Sequence, residues 1–174
     1  MTPTIERFVL HWGEMGTRWG MNRSVAQIHA LLYLSTEPIT AEEIADTLSM
    51  ARSNVSNSLK ELLSWNLIEL IHVLGDRRDH YTAITDMWDM AITIIEERKK
   101  RELEPTMGML HQSMADVAGD DSVDPVVALR IKEMMDFMDA LLKWYDQVSR
   151  LPRSSIRSLL KMGGKISRLL DKKT

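Results

Sequence analysis

The residues whose types and spacing suggest chemistry lie between positions 40 and 81. On a wheel of about 100° per residue started at Val55, Leu59 and Leu62 fall beside it, while Ser53, Ser56, Asn57 and Lys60 fall opposite. With Arg52 and Asn54 at its start, that outer face is short and hydrogen-bonding. Small Ser and Asn side chains let a helix backbone approach the floor of a major groove, where Asn pairs bidentately with adenine and hydroxyls bond phosphate or base. A second element ends in Gly75-Asp76-Arg77-Arg78, two guanidinium groups at a hairpin tip that can reach phosphates or a minor groove. Adding Thr40, the candidate DNA-contacting set is Thr40, Arg52, Ser53, Asn54, Ser56, Asn57, Lys60, Arg77 and Arg78. The plainer readings are a solvated polar helix face and a tip whose arginines pair locally with Asp76 or Asp79. Face and tip together favour nucleic acid.

Other constellations carry less. His11, His29, His72, His80 and His111 invite a metal, and a hairpin brings His72 toward His80. Two imidazoles fall short of the about three or four protein ligands that zinc takes, so no metal is expected. Glu42-Glu43 and Glu96-Glu97 have no neighbouring nucleophile and read as helix-dipole partners. Gly163-Gly164 lacks the spacing of a phosphate loop. No catalytic residue and no cofactor is therefore assigned, and the chain is read as not an enzyme. Trp12, Trp19, Trp65, Trp88 and Trp144, with Tyr33 and Tyr145, offer faces for a quaternary ammonium group, although such rings more often fill cores and interfaces.

The elements that must position these residues are mostly helical. Thr2-Pro3 opens a helix carrying Ile5, Phe8, Val9, Trp12, Met15 and Trp19 to Gly20. Ser24 opens a second, stopped at Glu37-Pro38. Thr40 and Glu43 form a capping box for a third, burying Ile44, Ala45 and Leu48. The polar-faced helix begins at Ser53 and ends near Asn66. Residues 67–73 and 79–84 make a β-hairpin around Gly75. Thr85-Asp86 caps the next helix, Pro105 bends or ends it, and helical structure resumes over 107–117. After the linker at 119–122, Asp124-Pro125 starts a helix in which Val127, Ile131, Met134, Met138, Leu141, Tyr145 and Val148 alternate spacings of four and three. That heptad seam predicts a dimer interface, the plainer alternative being an intrachain helix pair.

Composition agrees with a mainly α fold carrying a small β wing. The 174 residues have a formal net charge of -3 and contain no cysteine, which removes disulfides and thiol chemistry. No run of roughly 18 apolar residues occurs, so membrane spanning is not expected and the reading is cytoplasmic. Charge is uneven: Arg150 to Thr174 holds eight Lys/Arg against Asp171 alone, on an amphipathic pattern, while the preceding residues are net acidic. The predicted divisions are 1–86, a winged helix-turn-helix with an N-terminal helix; 87–149, helical dimerisation; and 150–174, a basic tail.

The stretch from Thr40 to Tyr81 resembles the MarR superfamily of transcription regulators. Ile44-Ala45, Leu48, Ser53-Asn54-Val55-Ser56-Asn57, Leu59, Leu62, Leu67-Ile68 and Gly75-Asp76-Arg77-Arg78-Asp79-His80-Tyr81 carry the likeness. Trp12-Gly13, Met15-Gly16 and the Trp88 that follows His80-Tyr81 look more like its GbsR branch, whose members include repressors of choline and glycine betaine uptake and synthesis. The resemblance covers most of the chain from Ile5 to Val148 but not the basic tail. It implies a homodimer whose recognition helices and wings occupy neighbouring grooves of a pseudo-palindromic operator on double-stranded DNA. It also implies an effector-responsive repressor, with Trp12, Trp19 and Trp88 as candidates for a choline- or betaine-like effector. The competing class is a winged-helix protein-interaction module without specific DNA binding.

Overall fold

The computed structural model describes residues 1–120, 122–152, 154–158 and 162. They fall into two compact units that divide after Glu97. Much of the predicted basic tail lies outside the described residues.

In the first unit, α1 (Pro3–Arg18) starts at Thr2, whose Oγ1 accepts from the Ile5 amide at 3.4 Å. Helix α2 (Arg23–Leu34) starts slightly earlier than expected because Asn22, not Ser24, caps it: Asn22 Oδ1 accepts from the Ser24 amide at 2.8 Å. Two glycines let these helices nearly touch. A Cβ at Gly13 would stand 2.6 Å from Gln27 Cγ, and one at Gly16 would stand 2.5 Å from the Cβ of Ala26. Below them, Val9, Val25, Ile28 and Leu32 join Ile44, Val55, Leu59, Leu62, Leu67 and Ile68 in one buried cluster. Those residues are the inward positions of α1, α2, α3 (Ala41–Leu48) and α4 (Arg52–Ser64), together with the start of the wing.

The hairpin is present as β2 (Ile68–His72) and β3 (Asp79–Ala83), with Ile71 opposite His80 and His72 opposite Asp79. A strand not foreseen, β1 (Ile39–Thr40), pairs antiparallel with β3 through Ile39 and Tyr81, so the sheet order is β1-β3-β2. Helix α5 (Met87–Arg98) is capped as expected: Asp86 Oδ1 accepts from the amides of Trp88 and Asp89.

In the second unit Pro105 does not end the helical run. A π-helical turn, Lys99–Leu103, leads directly into α6 (Glu104–Ala118), so the proline sits at the second position of that helix. The wider turn accommodates a residue that cannot donate to the ladder, and the Thr106 hydroxyl donates to the Glu102 carbonyl at 2.6 Å. Helix α7 (Pro125–Ser149) packs on α6, and Lys99 Nζ lies 2.8 Å from Asp146 Oδ1 and over the Tyr145 ring. Among the described residues no helix is long and apolar enough to cross a membrane.

Candidate nucleic-acid interface

Helix α4 presents the polar face read from its sequence. Val55, Leu59 and Leu62 are buried, while Arg52, Ser53, Asn54, Ser56, Asn57 and Lys60 are exposed. Its first residues follow Ala51, which supplies no side-chain cap. Not all of the exposed groups are idle. Asn54 Nδ2 donates to Ser24 Oγ on α2 at 2.9 Å, so Asn54 ties α4 to α2, a link between distant residues that local spacing does not reveal. Arg52 Nη1 lies 3.0 Å from Glu42 Oε1 on α3. Ser56, Asn57 and Lys60 are left as the outward groups of the central turns.

Thr40 is withdrawn from the predicted contact set. It is buried, its amide and its hydroxyl both donate to Glu43 Oε2 at 2.7 Å, and its Oγ1 accepts from the Glu43 amide. The capping box consumes the groups that a nucleic acid would need. The Thr40 backbone bond, followed by the side-chain bond, holds the Glu43 carboxyl below its ordinary range.

The two wing arginines differ. Arg78 is clamped by Asp76: its Nε donates to both carboxylate oxygens at 3.0 Å, its Nη2 also reaches Oδ2, and its amide donates to Oδ1 at 3.0 Å. These bonds, the Arg78 side chain first, hold the Asp76 carboxyl well below the usual carboxylate range. His80 lies beneath, largely buried, with Nδ1 3.0 Å from the Arg78 carbonyl and Nε2 3.6 Å from Asp76 Oδ2. A carbonyl can only accept, so Nδ1 carries a proton. Arg77 is exposed, and the structure describes no ion pair for it. His72 is exposed and His80 buried, so the two imidazoles do not converge. Glu42 and Glu43 add their field to Arg78, linking the wing base to the start of α3 and, through Glu42, to Arg52 on α4.

The predicted seam on α7 divides. Ile131, Met138, Tyr145 and Val148 are half-buried, whereas Val127, Met134 and Leu141 are exposed. The exposed three continue into Phe137 and Trp144, which are 67% and 59% exposed and which the heptad reading missed. Among the effector candidates, Trp12 stacks on Phe8 with centroids 5.5 Å apart and lies 6.4 Å from His29, which lies 6.5 Å from Tyr33. Trp19 is exposed at the end of α1, and Trp88 is half-buried at the start of α5.

The model of the MarR family matches residues 19–79. The chain is 21% identical over 136 residues to the HTH-type transcriptional repressor OpcR of Bacillus subtilis, covering 76% of this chain and 74% of that protein. It is 22% identical over 139 residues to the HTH-type transcriptional repressor GbsR of the same bacterium, covering 78% and 77%. A crystal structure described as a transcriptional regulator superposes with a TM-score of 0.65 at 19% identity, over 83% of this chain and 95% of that one, a likeness of fold.

Proposed function

We propose that the chain is a DNA-binding transcriptional regulator of the MarR family and the GbsR type, a reading supported by its likeness to the family model and to two curated repressors, and that it binds a pseudo-palindromic operator as a homodimer and represses until an effector releases it. The observation that carries this reading is the pairing, in one compact unit, of a small hydrogen-bonding helix face with an arginine wing stiffened from below. Ser56 and Asn57 read base edges in a major groove, while Ser53, Lys60 and Arg52 meet the flanking phosphates. Arg77 leads the wing into the neighbouring minor groove, and Arg78, held by Asp76, supports it. Such a regulator works where the chromosome lies, in the cytoplasm. The effector is of the quaternary ammonium class, with the rings of Trp12, Trp19 and Trp88 as the candidate cation–π faces.

Helix and wing are expected to fail differently when mutated. Asn57→Ala costs about 1–3 kcal/mol on the operator and little on scrambled DNA. Arg77→Ala/Arg78→Ala weakens all sequences similarly and lowers the salt slope by about one unit per lost phosphate contact. The measurement is binding to duplexes from the region upstream of its own gene, and to scrambled controls, at several salt concentrations, repeated with choline or betaine present. A double arginine mutant that keeps its affinity and slope would remove the wing from the DNA. A wild-type protein that shifts no duplex in a salt-dependent way would favour the protein-interaction module.

A further inference from the structure

The wing tip carries a side chain that the reading above does not use. Leu74 stands between β2 and β3, directly before Gly75, whose φ is 87°, and its side chain is fully exposed. Val73 beside it is exposed as well. The turn is closed by the Asp76 amide donating to the Val73 carbonyl at 3.1 Å, a geometry that asks for no apolar group at position 74. A leucine left in water forgoes the favourable desolvation that burial would bring.

Single exposed leucines are common on broad protein surfaces. This one stands at the end of a two-stranded ribbon, in the same turn as Arg77. The support beneath it is fixed by the Arg78–Asp76 clamp and the His80 bond to the Arg78 carbonyl. A stiff ribbon ending in one apolar side chain and one cation has a matching surface in the minor groove of DNA. That groove is about 6 Å wide, and its negative potential draws an arginine. Its sugar walls and base steps accept a leucine, the side-chain type that minor-groove proteins press between stacked bases.

We infer that Leu74 is an apolar wedge that enters the minor groove beside Arg77 and distorts the base step it meets. This inference rests on the DNA-binding reading. The two tip residues contribute through different physics. Arg77 displaces counterions, so its share falls with salt; Leu74 is desolvated, so its share does not.

The test uses the full chain, wild type and the variants Leu74→Ser, Leu74→Met and Arg77→Ala, on one operator duplex and one scrambled duplex across a salt series. End-to-end energy transfer in a doubly labelled operator reports its bending. Thermal melting shows that each variant is folded. Leu74→Ser is expected to weaken operator binding by about tenfold or more, the fold-change that corresponds to losing most of a leucine's burial, with an unchanged salt slope and a less distorted operator. Leu74→Met should keep both properties, and Arg77→Ala should lower the slope by about one unit. A Leu74→Ser protein that binds within twofold of wild type at every salt concentration overturns the wedge. So does a Leu74→Met protein that fails as Leu74→Ser does, and so does a Leu74→Ser change confined to oligomeric state. If wild type itself does not distinguish operator from scrambled duplex, the DNA-binding reading fails with it, which separates that failure from one confined to Leu74.

Discussion

His29 shows how one residue ties the fold to pH. It is buried on α2 with rings of Trp12 and Tyr33 near it, and its Nε2 has no hydrogen-bond partner. Burial alone pushes the imidazole down from 6.5 to about 4, with no charged neighbour contributing. The folded chain therefore accommodates the neutral ring, while the unfolded chain takes up a proton near pH 6.5. The stability that neutral His29 contributes is complete above pH 6.5 and is lost as the pH falls from there toward 4. The loss comes to about 2 kcal/mol by pH 5 and about 3 kcal/mol at its full extent. Denaturant melts of wild type and His29→Phe between pH 7.5 and 5 should diverge by that amount, with the variant flatter. Parallel curves would mean that the ring is solvated or partnered in solution. The same residue shows the limit of reading a single sequence: a histidine amid apolar positions on a helix can be foreseen as core, but its orphaned nitrogen depends on which rings a second helix brings to it.

At the scale of elements, the α1–α2 contact depends on glycine. Alanine is ordinarily the better helix residue by about 1 kcal/mol, so a gain would be expected if nothing opposed it. At Gly16 the new Cβ would meet the Cβ of Ala26, which cannot rotate away, and overpacking of that kind costs about 1–3 kcal/mol. At Gly13 the obstacle is Gln27 Cγ, which unlike a Cβ can swing aside by a change of rotamer of that buried side chain. Gly16→Ala should therefore lower the melting temperature more than Gly13→Ala, and Ala26→Gly should rescue it; the opposite order would show that the helices are not in this register. What was legible in these elements was local chemistry: Thr2, Thr40, Asp86 and Asp124 each cap the helix expected of them. What was not legible was set by distant partners. The two residues of β1 are a strand only because β3 lies beside them. Pro105 carries a stop signal that a π turn absorbs, and the capping box of Thr40 is local, but its burial, which takes it away from DNA, is set by the elements packed around it. The helix face around Asn57 was legible because it needs only the period of one helix; the Asn54 tie to Ser24 was not, because it spans thirty residues.

For the whole molecule, the question is what covers α7. The heptad reading merged two apolar stripes on one helix. One, with Ile131, Met138 and Tyr145, is half-buried within its own unit, and the other runs through Val127, Met134, Phe137, Leu141 and Trp144 in the open. Monomers seldom leave so continuous a patch exposed, and a second copy related by a two-fold axis would bury the same stripe from both sides. Charge placed on the open stripe tests this more cleanly than Met138→Glu, which would also disturb the half-buried side. Phe137→Glu/Trp144→Glu should sediment as a monomer at micromolar concentration while the first unit keeps its melting behaviour. A two-fold dimer also places its recognition helices about one helical turn of DNA apart, or a small multiple of it, so wild type should protect two half-sites. The monomeric variant should protect one, with the affinity loss that follows from giving up the second set of contacts. A variant that remains dimeric, with an unchanged two-part footprint, would move the interface to another surface and leave the exposed stripe on α7 without a role in operator binding.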